Sequence, residues 1–445
     1  MRIHLFHRSL IAILVAILAF GTTANAQKIE IEFWHGFTPA LGALLEGHVD
    51  DFNASQDRYF INAGRKGDYD ETFNFTIAAV RAGTGMPDIV QMFEVGTGQF
   101  IYSEGVIIPV HQLMADTGVP FDPDIYLPAI KGYYSLPDGS MMSFPFNSST
   151  AVTWVNDDAL VAAGLDPATV SLGTWAEVRE VAKQVVDADA APCGFSFAWP
   201  TWTQFEQFSA IHDLPYSTLA NGFEGLGAEL LINSPLHVQH IQNLIDMKNE
   251  GSFTYGGRGN AGDTNFVTGE CAIVQGSSAM IARVRNEATF DWSVHMLPYY
   301  EGTPNAPLNS IIGGASFWVI DAGQSPEKLQ GIAEFFAFMS TLEATEAWHV
   351  ASGYLPIRFG VFEKLQAEGY YAENAGLDIP YLQLTRSEPT ENSKGFRLGN
   401  MPAIRTVIEE EIEIAFDGGQ TAQQALDNAV MRGNEILRAF ERMHR

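Results

Sequence analysis

Basic residues are scarce in this chain. Its 25 Lys and Arg stand against 53 Asp and Glu, giving a formal charge of −28. A field of that sign repels phosphodiester backbones and anionic bilayers, which excludes nucleic-acid binding and electrostatic membrane attachment as main roles. It also works mildly against an anionic ligand, but salt screens it within about 10 Å, so local groups decide binding. Cysteine is nearly absent. Cys193 and Cys271 are the two present, and neither has the spacing of a zinc site. Each stands by a strand-like run, 194–198 and 272–275. A disulfide between neighbouring strands and two buried thiols both fit this placement. Long hydrophobic runs are missing too. The apolar stretch from Leu10 to Phe20 falls well short of the ~20 residues that a bilayer requires.

Signatures of catalysis are also lacking. The sequence holds no phosphate loop ending in Lys-Ser/Thr, no His-Glu-x-x-His and no nucleophile elbow. Gly257-Arg258-Gly259-Asn260-Ala261-Gly262 matches a dinucleotide fingerprint by letters. No apolar strand precedes it and no apolar helix opens from it, so it reads as a flexible loop. His237 and His240 are three apart on a helical pattern and could hold a metal. Without a third ligand nearby in sequence, they read as a solvated helix face. Asp157-Asp158 and Glu409-Glu410-Glu411 read as helix caps and solvated faces. The expectation is a protein that is no enzyme and carries neither cofactor nor metal.

What is present begins with an export leader. Arg2 and Arg8 precede the apolar run, and Ala24-Asn25-Ala26 has the small-x-small pattern of a cleavage site. The leader spans residues 1–26, and export to the periplasm follows from it. No cysteine stands at the new N-terminus to carry a lipid. The remainder, about 420 residues with 46% hydrophobic content over the whole chain, is long enough for two domains of ~100–200 residues each.

The first part alternates strands (29–34, 59–63, 88–93) with helices (41–52, 72–81). This β-α-β-α-β rhythm predicts a parallel sheet covered on both faces. Loops after such strands are the usual ligand site; here they carry Trp34-His35-Gly36, Gly67-Asp68-Tyr69 and Glu94. Residues 109–143 read as loop, rich in Pro, Gly and Tyr. A second α/β series then starts, with strands at 151–155, 194–198 and 271–275 and helices at 174–186, 204–212, 235–249 and 278–286. Residues 292–297 lead through a loop to an apolar run at 311–320. The rest reads as helical (326–340, 344–350, 402–416, 422–442). The fold class is therefore α/β, with two lobes, each a mixed or parallel sheet flanked by helices, joined by a hinge near Asn147. One further segment stands out. Gly395-Phe396-Arg397-Leu398-Gly399-Asn400-Met401-Pro402 puts an arginine between two glycines just before a helix. Arginine's rigid fork of donors suits carboxylate or phosphate, although a plain salt bridge at a helix start uses the same residues.

Several segments together resemble the extracytoplasmic solute-binding proteins of ATP-driven (ABC) importers. They are Phe33-Trp34-His35, Lys66-Gly67-Asp68-Tyr69, Phe93-Glu94-Val95-Gly96-Thr97 and Pro145-Phe146-Asn147-Ser148-Ser149-Thr150. Later come Gly269-Glu270-Cys271-Ala272, Ile311-Ile312-Gly313-Gly314-Ala315-Ser316, Gly353-Tyr354-Leu355-Pro356 and the Arg397 segment. The resemblance implies a first lobe of 27–147 plus 292–341 and a second of 148–291 plus 342–445, closing over a ligand. That ligand would be sn-glycerol 3-phosphate, passed to membrane permease subunits with a cytoplasmic ATPase by a monomeric protein. Carried over by resemblance, the contacts fall on Tyr69, Glu94, Ser149, Ser277, Gly314, Tyr354 and Arg397, with Trp199 and Trp202 as aromatic walls. Arg397 would meet the phosphate. Ser149 and Ser277 would donate hydroxyl hydrogen bonds, Gly314 would offer its backbone N–H, and Glu94 would accept from the glycerol hydroxyls. Phe93 stands where the family usually has tyrosine, which removes one hydroxyl. The alternatives are a glycerophosphodiester such as glycerophosphocholine, a sugar, or, in another class, a secreted phosphodiesterase or glycosidase.

Overall fold

The structure, a computed structural model, describes residues 27–444. The export leader lies outside the described residues. Ten strands follow one another along those that are described: β1 (Ile29–His35), β2 (Tyr59–Arg65), β3 (Ile89–Phe93), β4 (Ile107–Ile108), β5 (Phe144–Ser149), β6 (Ala151–Asn156), β7 (Cys193–Phe197), β8 (Cys271–Ser277), β9 (Trp292–His295) and β10 (Gly313–Ile320). They form two sheets, and the protein has two lobes. One sheet has the order β2-β1-β3-β10-β4, with β5 also paired to β10. The other runs β7-β8-β6-β9.

The predicted β-α-β-α-β opening is present. β1 lies parallel to β2 and β3, and the helices Pro39–Ser55 and Tyr69–Ala82 make the crossovers. The second helix starts with a full capping box, in which Asp68 and Glu71 each accept the other's backbone N–H. β3 is buried along its whole length, as a central strand covered on both faces must be. β10 is antiparallel to β3, β4 and β5, so this sheet is mixed.

Two segments pass between the sheets side by side. One is the step from Ser149 to Ala151; the other is the stretch just before β10. The Thr150 hydroxyl joins them, at 2.8 Å from Ser310 Oγ and 2.9 Å from the Ile311 carbonyl. Gln207 adds a second tie, accepting from the Ile311 N–H and donating to its carbonyl.

The structure differs from the sequence expectation in several places. Residues 109–143 are loop-rich but hold more helix than was read. They contain the helices Val110–Thr117 and Pro128–Tyr134, each too short to show a helical period. Trp292 was expected in the first lobe, yet β9 pairs with β6 of the second sheet. Residues after 342 were expected in the second lobe. Trp348 instead packs on Phe37, Phe146 and Tyr354, with ring centroids 4.5–5.8 Å apart, and Leu355, Ile357 and Leu384 join the same apolar cluster. His237 and His240 are not on a solvated face. Both are fully buried, His237 between the hydroxyls of Ser209 and Ser234, His240 between Gln204 and the Tyr300 hydroxyl. Burial drives the His237 pKa down to about 3 and lowers that of His240 as well. Glu411 is likewise buried and paired with Arg432.

Cys193 and Cys271 are register partners at the starts of β7 and β8 and form a disulfide. The bridge closes 78 residues of chain. On loop-closure entropy, reduction should cost about 4–4.5 kcal/mol. Urea denaturation with and without reductant checks this, and coincident midpoints would refute it.

Candidate functional site

The strands of both sheets end on a shared cavity of about 600 Å³. On the first-lobe side it is lined by Gly36, by Asp68 to Asp70 at the start of a helix, by Glu94 just after β3, by Ser149 at the end of β5, and by Gly314. On the other side stand Trp199 and Trp202 after β7, Ser277 at the end of β8, and Asp263. Tyr354 and Arg405 complete the wall. The structure thus brings Tyr69, Glu94, Ser149, Trp199, Trp202, Ser277, Gly314 and Tyr354 together around one space.

Arg397 is not among the lining residues. Its Nη2 donates to the carbonyls of Tyr133 (2.7 Å) and Ser135 (2.9 Å), and its guanidinium lies on the Phe223 ring. It is 3% exposed, and burial lowers its pKa. The flanking Gly395 takes φ +101, and a Cβ there would stand 2.5 Å from the Tyr133 ring. The glycine lets this segment pack against the helix Pro128–Tyr134.

The buried cation on the cavity wall is Arg405, one turn into the helix Met401–Phe416. Glu206 grips it in a fork: Nε to Oε1 at 2.8 Å and Nη2 to Oε2 at 2.6 Å. Nη2 also donates to Glu94 Oε1 at 2.7 Å. Glu94 comes from the first sheet, whereas Glu206 closes a π-helical turn, Trp202–Glu206, that follows β7. Such turns recur at functional sites because they re-aim side chains. All three groups are nearly dry. Burial opposes the Arg405 charge, but the two carboxylates outweigh it and hold the guanidinium ionised. For Glu94 burial is the larger influence and raises its pKa, with Arg405 pulling it back. The sequence signal for Arg405 is faint. It sits among the buried Met401, Ile404, Ile408 and Ile412, on the edge of that helix's apolar stripe.

A chain of amides orients the tyrosines. The Gly36 N–H donates to Gln91 Oε1, Gln91 Nε2 to Asn147 Oδ1, and Asn147 Nδ2 to the Tyr69 hydroxyl, which lies 3.4 Å from that of Tyr354. Phe93 stacks on Tyr69 and supplies packing where the absent tyrosine would have supplied a hydroxyl. Ser277 caps the short turn after β8, accepting from the Ala279 N–H at 3.1 Å. Trp199 adopts a left-handed backbone, φ 54, a conformation that costs a bulky residue about 1–3 kcal/mol. Its N–H donates to the Gly259 carbonyl at 2.6 Å, so the Gly257–Gly262 loop braces the aromatic wall.

One turn beyond Arg405, burial lifts the Glu409 carboxyl to about 7, with Arg258 and Arg405 opposing and Glu413 and Asp70 reinforcing. The folded state therefore holds this proton more tightly than the unfolded chain. The stability linked to it is full below the ordinary glutamate range and is lost as pH rises toward 7. Glu409→Gln should accordingly stabilise the protein at about pH 8, on the order of 2 kcal/mol, and leave it unchanged at about pH 4. Denaturant titrations at both pH values test this; an equal shift at each would contradict it.

A cleft between two α/β lobes, carrying one buried arginine, hydroxyls and aromatic walls, is the architecture of a solute receptor. Residues 48–375 match the model of the bacterial extracellular solute-binding proteins, and the chain belongs to that family. Among characterised relatives, it is 42% identical to the sn-glycerol-3-phosphate-binding periplasmic protein UgpB of Rhizobium meliloti, over 95% of this chain and 97% of that one. It is 41% identical to UgpB of Yersinia pseudotuberculosis over 99% of this chain and the whole of that one. Among solved structures, UgpB from Mycobacterium tuberculosis in complex with glycerophosphocholine superposes with a TM-score of 0.76 at 21% identity, covering 92% of this chain and 98% of that one. That likeness carries the fold.

Proposed function

We propose that this protein is the periplasmic receptor of an ABC importer, that it captures sn-glycerol 3-phosphate between its lobes, and that it hands the ligand to membrane permease subunits driven by a cytoplasmic ATPase. It performs no chemistry on the ligand. The observation that carries this reading is Arg405, held at the cavity wall by one carboxylate from each side. Among the described residues its Nη1 makes no hydrogen bond to protein. Arg405, in place of Arg397, supplies the phosphate contact. Ser149, Ser277 and the Gly314 N–H supply directional donors, and Glu94 accepts from glycerol hydroxyls. Contacts from both lobes favour the closed state, so binding and closure are coupled. The sn-glycerol 3-phosphate for which the UgpB relatives are named supports the same choice.

A second reading has its own support. The cavity is of the size that takes drug-sized ligands, and Asp68, Asp70, Asp263 and Glu287 share its lining with Arg283 and Arg405. A net acidic cleft with two tryptophans suits a zwitterion such as glycerophosphocholine better than a bare dianion. Titration calorimetry with glycerol 3-phosphate, glycerophosphocholine and maltose separates the possibilities. Binding of maltose with neither glycerophosphate compound would overturn the proposal.

A further inference from the structure

Asp263 stands in the cavity wall beside the ends of β7 and β8 and takes no part in the Arg405 cluster. It is 7% exposed. Its Oδ1 is buried without a partner, and among the described residues no donor reaches either carboxylate oxygen. A Cβ on Gly262, the residue before it, would lie 2.1 Å from the Phe197 carbonyl, and one on Gly276 would lie 3.3 Å from Asp263 Oδ1. The segment is thus pressed onto the strand ends with the carboxylate held at the cavity.

Donors on two neighbouring side chains are engaged elsewhere. Arg283, the charged neighbour, lies on the helix Ile281–Glu287, with its Nε on Glu287 and its Nη2 on Thr264 Oγ1. Asn265 donates to Ser196. β7 and β8 offer backbone and the small residues Ala198 and Gly276 at this point. Burial raises the carboxyl pKa to about 7, with Arg283 opposing. A buried acceptor with no donor destabilises a fold, and it persists where a ligand supplies what the protein withholds.

We propose that Asp263 is a specificity-determining residue that receives a positively charged, hydrogen-bond-donating group of the ligand, such as the primary ammonium of an aminoalkyl ester of glycerol phosphate. This rests on the glycerophosphate reading of the cavity and names its second anchor. The ligand's phosphate faces Arg405 and its ammonium faces Asp263, so both charges of a zwitterion are met. Trp199 adjoins the same loop through Gly259 and covers the intervening methylenes. A quaternary ammonium has no N–H and leaves the carboxylate without a donor. A primary ammonium provides three.

Titration calorimetry at about pH 8, where the carboxylate is ionised, reads this directly. The wild type should bind glycerophosphoethanolamine about tenfold more tightly than glycerophosphocholine. Asp263→Asn should erase that preference, and the variant should bind glycerol 3-phosphate at least as tightly as the wild type, because loss of a carboxylate from the cavity wall lessens repulsion of an anion. Asn is isosteric and relieves a buried charge, so the thermal midpoint of the variant should equal or exceed that of the wild type. Glycerol 3-phosphate binding with no preference in the wild type, or with a preference untouched in Asp263→Asn, overturns the inference alone. Failure of the wild type to bind any of the three compounds overturns the glycerophosphate reading and the inference with it.

Discussion

Arg405→Ala should weaken glycerol 3-phosphate binding by about 3–5 kcal/mol, which takes a tight receptor out of its working range. Two losses add. The ligand phosphate loses its charge-assisted donors, and Glu94 and Glu206 are left facing one another with nothing between them. Glu206 is fully buried, so an unpaired carboxylate there repels an anion from a poorly screening site. Arg405→Lys should recover only part of the affinity, because an ammonium cannot reproduce the fork to Glu206. Arg397→Leu should lower stability and leave affinity nearly as it was, since Arg397 lies outside the cavity lining and its Nη2 serves the Tyr133 and Ser135 carbonyls. Calorimetry on the three variants makes the comparison. Wild-type affinity in Arg405→Ala would remove this residue from the site.

The largest folding effect should come from Gly314→Ala. Gly314 takes φ +90, and a Cβ there would stand 1.9 Å from the Asn147 carbonyl oxygen. That oxygen belongs to β5, paired with β10 at this point, so neither strand can yield without breaking the sheet. Positive φ and backbone overlap together should cost about 4 kcal/mol or more. Affinity should fall too, because Asn147 orients the Tyr69 hydroxyl. Equilibrium denaturation measures the first effect. An unchanged midpoint would mean that the strands slide apart freely.

Much of the architecture was legible because its causes are local. β1, the buried run of β3 and the body of the Tyr69–Ala82 helix all declare themselves within a few residues. Helix 235–249 was read to its observed ends. The cavity's position follows from strand order, since residues just after parallel strands converge, and this gathers Glu94, Trp199 and Ser277. The arginine was not legible in the same way. Arg397 carries the suggestive neighbours, two glycines and a helix start, and those neighbours serve packing against Tyr133. Arg405 has no distinctive neighbours. Its role depends on Glu206 and Glu94, 199 and 311 residues away in sequence. His237 and His240 failed for a related reason: imidazoles on a polar-looking helix are dry here because serines, a glutamine and a tyrosine from elsewhere satisfy their nitrogens. Trp348, Leu355 and Ile357 were misassigned because nothing in their sequence says which apolar cluster they will join, whereas the helices Met401–Phe416 and Ala422–Met443 pack on the second lobe as expected.

The covalent brace of the molecule is fastened at the ends of β7 and β8 that point away from the ligand. Ser277 lies six residues along its strand from Cys271, about 20 Å at strand rise. Thiol chemistry at the rear of this half should therefore govern how long the receptor survives and leave its taste for solutes alone. A cell in which oxidative folding falters would have fewer intact copies, each with its usual selectivity.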